Sequence, residues 1–275
     1  MEFKTKRHEL SECLGPLDAQ VKNSDEPIPF GHRLWIITGR RGSGKSTIIL
    51  QVLQQNVSKW HKNFDNIIFI SPTASHDPKF KRLVDETKNN DNFYNELNEE
   101  VFTTFLNKLS EFNDIWEEDE KEYKYNKKEH GKGFYTRVIK KVHGKEIIKK
   151  YYELRPEPQH LLILDDCIED LKKSTQKSKL NKAICNGRHF KLSTIITTQR
   201  YNKLNTLIRS NADMISIFRT ENNGEYRTIE DDLTIDNNLL KDVYDFATEK
   251  PNGFLHISLA DARPCFFRRF DKIIF

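Results

Sequence analysis

Along this chain, short runs that are apolar at nearly every position are separated by longer stretches with mixed polarity. The apolar runs are "RLWIIT" (33–38), "NIIFISP" (66–72), "HLLILDD" (160–166), "STIITTQ" (193–199), "DMISIFR" (213–219) and "GFLHISL" (253–259). They are too short for buried helices and rich in β-branched residues, so they predict strands covered on both faces. "EEVFTTF" (99–105) predicts a further short strand, and "CFFRRFDKIIF" (265–275) a last one. Because the final two runs lie close together, they predict an antiparallel hairpin at one edge. Helical spacing appears between the runs. In "STIILQVLQQNVSKW" (46–60), Ile49, Val52, Leu53, Val57 and Trp60 share one face,. Residues 76–90 are polar and read as helical. Strands alternating with helices predict an α/β fold, a mainly parallel sheet with helices on its faces.

Two regions break this rhythm. Residues 1–30 are polar and carry Pro16, Pro27 and Pro29, a lead-in with a short helix at the start and irregular chain after it,. The main domain is then expected at 31–275. Within it, residues of about 111–155 form a charged insertion without a core of its own. An acidic run from Glu111 to Glu120 comes first, followed by "KEYKYNKKEHGKGFYTRVIKKVHGKEIIKKYYELR". Its "VHGKEI" reads as a hairpin turn. No internal repeat is visible.

Composition changes this picture little. The 275 residues are 36% hydrophobic and 31% charged, with a net charge of +4. That apolar share excludes a disordered chain, and so mild a charge does not demonstrate a nucleic-acid partner. Cys13, Cys167, Cys185 and Cys265 are far apart with no zinc-ligand spacing, which suits reduced, buried thiols,. No apolar segment is long enough to span a membrane, and "MEFKTKRHEL" lacks the apolar core of a secretion signal,.

The candidate chemistry begins where the first strand ends. Gly39-Arg40-Arg41-Gly42-Ser43-Gly44-Lys45-Ser46 fits the P-loop pattern, with a strand before it and an amphipathic helix after it,. Glycines let the chain turn sharply with its amides pointing inward, making a cradle for phosphate oxygens at a helix N-terminus. Lys45 adds charge at the β- and γ-phosphates, Ser46 is placed to ligate Mg²⁺, and Thr47 falls near the α-phosphate. The expected ligand set is ATP with Mg²⁺. "LLILDD" ends in Asp165 and Asp166. One carboxylate beside a P-loop holds the metal, here Asp165, and a second accepts the proton of the attacking water, here Asp166. Paired carboxylates favour ATP hydrolysis over nucleotide kinase or GTPase chemistry, and the guanine-reading Asn-Lys-x-Asp is absent. "TIITTQR" places Gln199 at a strand tip, where its amide can sense the γ-phosphate.

Two arginines are candidates for completing the site of a neighbouring subunit, Arg188 before "KLSTIITTQ" and Arg209 in "LIRSNADMISIFR",. Surface ion pairing is the bland alternative. The lysine-rich stretch, interleaved with Tyr123, Tyr125, Phe134, Tyr135, Tyr151 and Tyr152, leaves two readings open. It follows a phosphate backbone, or it is a solvated arm that pairs with the acidic run before it.

Together the P-loop strand (34–46), "IIFISPT" (67–73), "LLILDD" (161–166), "GRHFKLSTIITTQ" (187–199) and "LIRSNADMISIFR" (207–219) resemble the FtsK/HerA superfamily of ATPases. More narrowly they resemble the poxvirus-type genome-packaging ATPases of large DNA viruses and virophages. The resemblance implies a RecA-like core and a pentameric or hexameric ring of subunits. It implies ATP-driven translocation of double-stranded DNA into a preformed capsid, with a capsid vertex protein as a further partner. The place of action would be the host cytoplasm, in a viral factory, or the virion. Many members carry Glu after the Walker B Asp, where this chain has Asp166. The alternatives are a nucleic-acid-dependent ATPase or helicase, and a non-enzymatic DNA-binding structural protein.

Overall fold

In a computed structural model of the chain, the six apolar runs all become strands of one sheet. The structure describes residues 4–6, 32–55, 64–89, 92–142, 145–167, 169, 171, 179–259 and 263–274. The strands are β1 (Lys4–Lys6), β2 (Leu34–Thr38), β3 (Asn66–Ile70), β4 (Phe93–Tyr94), β5 (Tyr135–Val142), β6 (Lys145–Tyr152), β7 (His160–Asp165), β8 (Leu192–Thr198), β9 (Met214–Phe218), β10 (Phe254–Ser258), β11 (Cys265–Arg268) and β12 (Asp271–Ile274). The helices are α1 (Lys45–Gln55), α2 (Lys81–Asn89), α3 (Glu99–His130), α4 (Lys179–Cys185), α5 (Thr206–Ser210), α6 (Asn223–Asp232) and α7 (Asn237–Thr248). The chain divides into two compact units, Met1–Thr103 with Gln159–Phe275, and Thr104–Pro158.

The first unit holds a sheet in the order β1-β12-β11-β10-β9-β2-β8-β7-β3-β4. From β9 to β4 all pairings are parallel, and from β9 outward to β1 they are antiparallel. This is the RecA-like P-loop NTPase architecture, a mostly parallel central sheet flanked by helices. β2, β7, β8, β9 and β10 are buried at every position, which is why their sequences are continuous apolar runs,. One face of the sheet is covered by Ile48, Ile49 and Leu53 of α1 and by Phe80, Leu83 and Val84, packed with Trp35, Ile37, Phe69 and Ile163. Burying each such side chain contributes roughly 1.5–3 kcal/mol. α1 is described as far as Gln55, so Val57 and Trp60 lie outside the described residues.

Two expectations need correction. "EEVFTTF" is the start of the 32-residue helix α3, not a strand. Asn98 caps it, its side chain accepting from the Val101 amide at 2.8 Å,. Phe102, Phe105, Leu109 and Trp116 are buried at helical spacing. That period extends beyond the seven-residue window and decides the element. Second, the last apolar stretch is two strands, β11 and β12, joined at Arg269 and Phe270. The antiparallel edge is accordingly β10-β11-β12, with β1 paired beyond it. Of the lead-in expected at 1–30 the structure describes Lys4–Lys6, which form that edge strand; the short helix expected there falls on residues outside the described ones. The rest of the lead-in, and Cys13, lie outside the described residues. Only one of the other cysteines is fully buried, Cys167, whose thiol donates to the Ile70 carbonyl at 3.4 Å. Cys185 and Cys265 are half-buried.

The second unit contains most of α3 and the antiparallel pair β5–β6. His143 and Gly144, in the expected turn, lie outside the described residues. This charged stretch has packing of its own. The Glu122 carboxylate accepts from the Thr136 amide (3.2 Å) and hydroxyl (2.8 Å). Trp116 Nε1 donates to the Arg155 carbonyl at 3.0 Å, and the Arg155 guanidinium lies 4.7 Å from the Phe112 ring. The acidic and basic residues do meet within the helix, at Glu120 and Lys124, 2.8 Å apart.

Candidate active site

β2 ends at Thr38 and the chain turns through residues 39–44 into α1. Gly39 is required by contact. A Cβ there would lie 2.7 Å from both Phe218 Cβ and Ser43 Oγ. Gly44, with φ of +111°, is required by conformation,. The Lys45 ammonium folds back onto the loop, donating to the carbonyls of Gly39 (2.6 Å) and Arg40 (3.0 Å). Burial lowers its pKa, and the charges of Asp166 and Asp165 oppose that shift,.

The carboxylates come from β7, next but one to β2 in the sheet, with β8 between them. Asp165 is buried. Its Oδ1 accepts from Thr197 Oγ at 2.6 Å and its Oδ2 from Ser71 Oγ at 3.1 Å. Burial raises its pKa, while these two hydroxyls and Lys45 act against the rise. Asp166 sits at the strand end with φ of +56°, in the left-handed region. Its amide donates to Thr197 Oγ at 3.2 Å, and its Oδ2 accepts from Gln199 Nε2 at 2.9 Å. Thr197 therefore ties both carboxylate residues to the neighbouring strand.

Loop, carboxylates and glutamine line a single cleft of about 950 Å³. Arg41, Gly42, Ser43, Gly44, Lys45, Ser46, Thr47, Asp165, Asp166 and Gln199 all face it. Gly39 and Arg40 line a smaller adjoining cavity of about 240 Å³, which Gln199 shares. Neither candidate arginine lines the cleft. Arg188 is exposed in the short turn Gly187–Phe190 before β8, at the opposite end of that strand from Gln199. Arg209 is held by Asp232 at 2.6 Å and lies 5.5 Å from the Tyr201 ring.

Sequence reasoning missed several lining residues. Thr73, His76 and Lys79 enter from the turns after β3, and Phe218, Asn252 and Arg269 from the opposite side. Ser71 and Thr197, which hold Asp165, were also missed; their one signal is a polar residue at the end of an apolar run, in "IIFIS" and "TIITT". Asn252 and Arg269 carry no local signal.

The geometry is that of a P-loop NTPase site, and its sheet has close counterparts. The chain matches the genome packaging NTPase B204 from Sulfolobus turreted icosahedral virus 2 in its complex with AMP, with a TM-score of 0.50 and 17% identity over 86% of this chain and 96% of that one. It matches the same protein's sulfate complex with a TM-score of 0.50, 19% identity and the same coverage. The chain shares the fold of that protein. By sequence it is 34% identical over 96 residues to an uncharacterised protein of Invertebrate iridescent virus 6. It is 30% identical over 73 residues to an uncharacterised protein of Acanthamoeba polyphaga mimivirus. These alignments cover 32% and 26% of this chain, and 36% and 26% of those relatives. No protein-family model matches the chain. Among the described residues no helix is long and apolar enough to cross a membrane.

Proposed function

We propose that this protein is an ATPase that couples hydrolysis to movement of double-stranded DNA during viral genome packaging. One observation carries the reading. A P-loop lysine, two adjacent carboxylates and a strand-tip glutamine face one cleft, with Asp166 and Gln199 in direct hydrogen bond. The shared fold with a packaging NTPase supports the biological setting.

The residues present fit a magnesium ion. Ser46 and Asp165 line the same cleft, and each Asp165 oxygen accepts only one side-chain hydroxyl, leaving acceptor capacity toward a hydrated cation,. Bound there with ATP, Mg²⁺ would neutralise charge on the β- and γ-phosphate oxygens. The chain's own groups do the rest. Amides of the loop hold the phosphates, and Lys45 exchanges two carbonyl partners for phosphate oxygens. Asp166 takes the proton of the attacking water at Oδ1, since Oδ2 is occupied by Gln199. Gln199 links that base to the state of the γ-phosphate.

A subunit ring would supply an arginine in trans. Arg188, exposed, suits that role better than Arg209, which Asp232 already holds. Lys127 and Lys128, exposed near Tyr125, give the second unit a surface suited to a phosphate backbone,. A capsid vertex protein, and a setting in the host cytoplasm or the virion, complete the proposal.

The test is phosphate release by purified protein with and without duplex DNA. DNA-stimulated hydrolysis that Lys45→Ala abolishes supports the reading. Nucleotide binding without release in any DNA condition would leave a structural protein instead. Displacement of a third strand from a triplex separates translocation from strand unwinding.

A further inference from the structure

Four non-glycine residues among those described have positive φ: Asp166 (+56°), Lys191 (+53°), Asn252 (+56°) and Arg269 (+58°). Three of them, all but Lys191, line the nucleotide cleft. Such a conformation is costly for an arginine, and it persists only where surrounding structure imposes it. Arg269 is the first of two residues joining β11 to β12, a place that favours glycine,. Its amide donates to the Phe254 carbonyl at 2.9 Å. The next residue, Phe270, locks the turn through edge contacts with Phe254 (5.4 Å), His256 (5.5 Å) and Trp35 (6.2 Å).

Strand order gives the cleft a direction. The P-loop follows β2. The carboxylates and Gln199 lie on the β8–β7 side of it, while β9, β10 and the β11–β12 turn lie on the other. β10 runs antiparallel to β9 and β11 antiparallel to β10, which brings Asn252, Phe254 and Arg269 to the same end of the strands as the P-loop. A nucleotide with its γ-phosphate at Asp166 therefore extends its nucleoside toward Asn252 and Arg269.

The side chains there are available. Arg268 is committed to Glu249 at 3.1 Å and to the Phe246 ring at 4.6 Å. Arg269 is exposed, and its guanidinium has no partner among the described residues; the same holds for the Asn252 carboxamide.

We infer that Arg269 and Asn252 form the nucleoside-binding wall of the site, with the Arg269 guanidinium stacked on the base and the Asn252 amide at the ribose side. A planar guanidinium on a purine face is a favourable stack, and the turn fixes the backbone from which the arginine side chain starts. The inference rests on reading residues 39–46 as a triphosphate cradle.

The experiment measures binding of ATP and of inorganic tripolyphosphate, each with Mg²⁺, by the full-length protein and its Arg269→Ala, Arg269→Gly and Asn252→Ala variants. Arg269→Ala is expected to weaken ATP binding about tenfold and leave tripolyphosphate binding unchanged. In turnover, KM for ATP rises while kcat holds. Arg269→Gly, free to adopt the positive φ, is expected to melt higher than wild type and still bind ATP weakly, which separates lost contact from lost fold. Wild-type affinity for ATP in both Arg269 variants overturns the inference. So does an equal loss for ATP and tripolyphosphate, which would place Arg269 on the phosphates. A wild-type protein that binds neither ligand overturns the cradle reading and this inference with it.

Discussion

Gln199 donates through Nε2 to Oδ2 of Asp166 at 2.9 Å, across adjacent strands whose sequences lie more than thirty residues apart. The bond joins the residue proposed to activate water to the residue proposed to sense the γ-phosphate. Asp166→Asn is expected to bind ATP as wild type does and to lose turnover by roughly 10²–10⁴-fold, the usual loss of a general base. Gln199→Ala should lower kcat with little change in ATP affinity. Equilibrium binding and phosphate release on the same preparations check both. Wild-type turnover in Asp166→Asn would remove the base assignment.

Asp165 should trade stability against function. Its pKa is raised in the folded state, chiefly by burial, so folding disfavours the ionised form. The stability it contributes is present at low pH and is lost as pH rises through the raised pKa. Asp165→Asn removes that loss. The variant is expected to melt above wild type without ligand, by more at pH 7 than at pH 4, and to hydrolyse nothing. Thermal melts at the two pH values decide it.

His160 gives a pH dependence of the other sign. Its pKa is lowered to about 4, first by burial and then by the charges of His32 and Lys191. A neutral imidazole is thus favoured in the fold. Its contribution is present above about 6.5 and is lost as pH falls to about 4, on the order of 3 kcal/mol at most,. Denaturant unfolding should show midpoints falling across that window, and a flatter profile in His160→Gln.

Gly39→Ala tests the packing beneath the loop. The added methyl would meet Phe218 Cβ and Ser43 Oγ at 2.7 Å, and a Cβ can retreat only if its own backbone moves. Overpacking of this kind typically costs about 1–3 kcal/mol. The expected outcome is a lower melting temperature together with weaker binding of tripolyphosphate, because the displaced element is the cradle itself.

The trans arginine is tested by mixing. Arg188→Ala should be inactive alone and regain part of its activity with Lys45→Ala, since mixed subunits of the proposed ring would share some intact interfaces. No recovery at any ratio would assign Arg188 a role within its own subunit.

The amino-acid sequence by itself determined the features that are contiguous. The P-loop is eight consecutive residues, and the buried strands are runs whose apolar character follows from cover on both faces. Asp165, Asp166 and Gln199 were legible because each ends such a run. Tertiary structure alone decided what depends on strand order. Ser71 and Thr197 clasp Asp165 only because β3 and β8 flank β7, and Arg269 lines the same cleft as the P-loop only because the sheet reverses beyond β9. The helix beginning at Glu99 belongs to the same class. A seven-residue window favours neither period, and the buried face that settles it extends on to Trp116. Local periodicity records what each segment buries, whereas the partner it buries against is set by pairings between residues far apart in the chain.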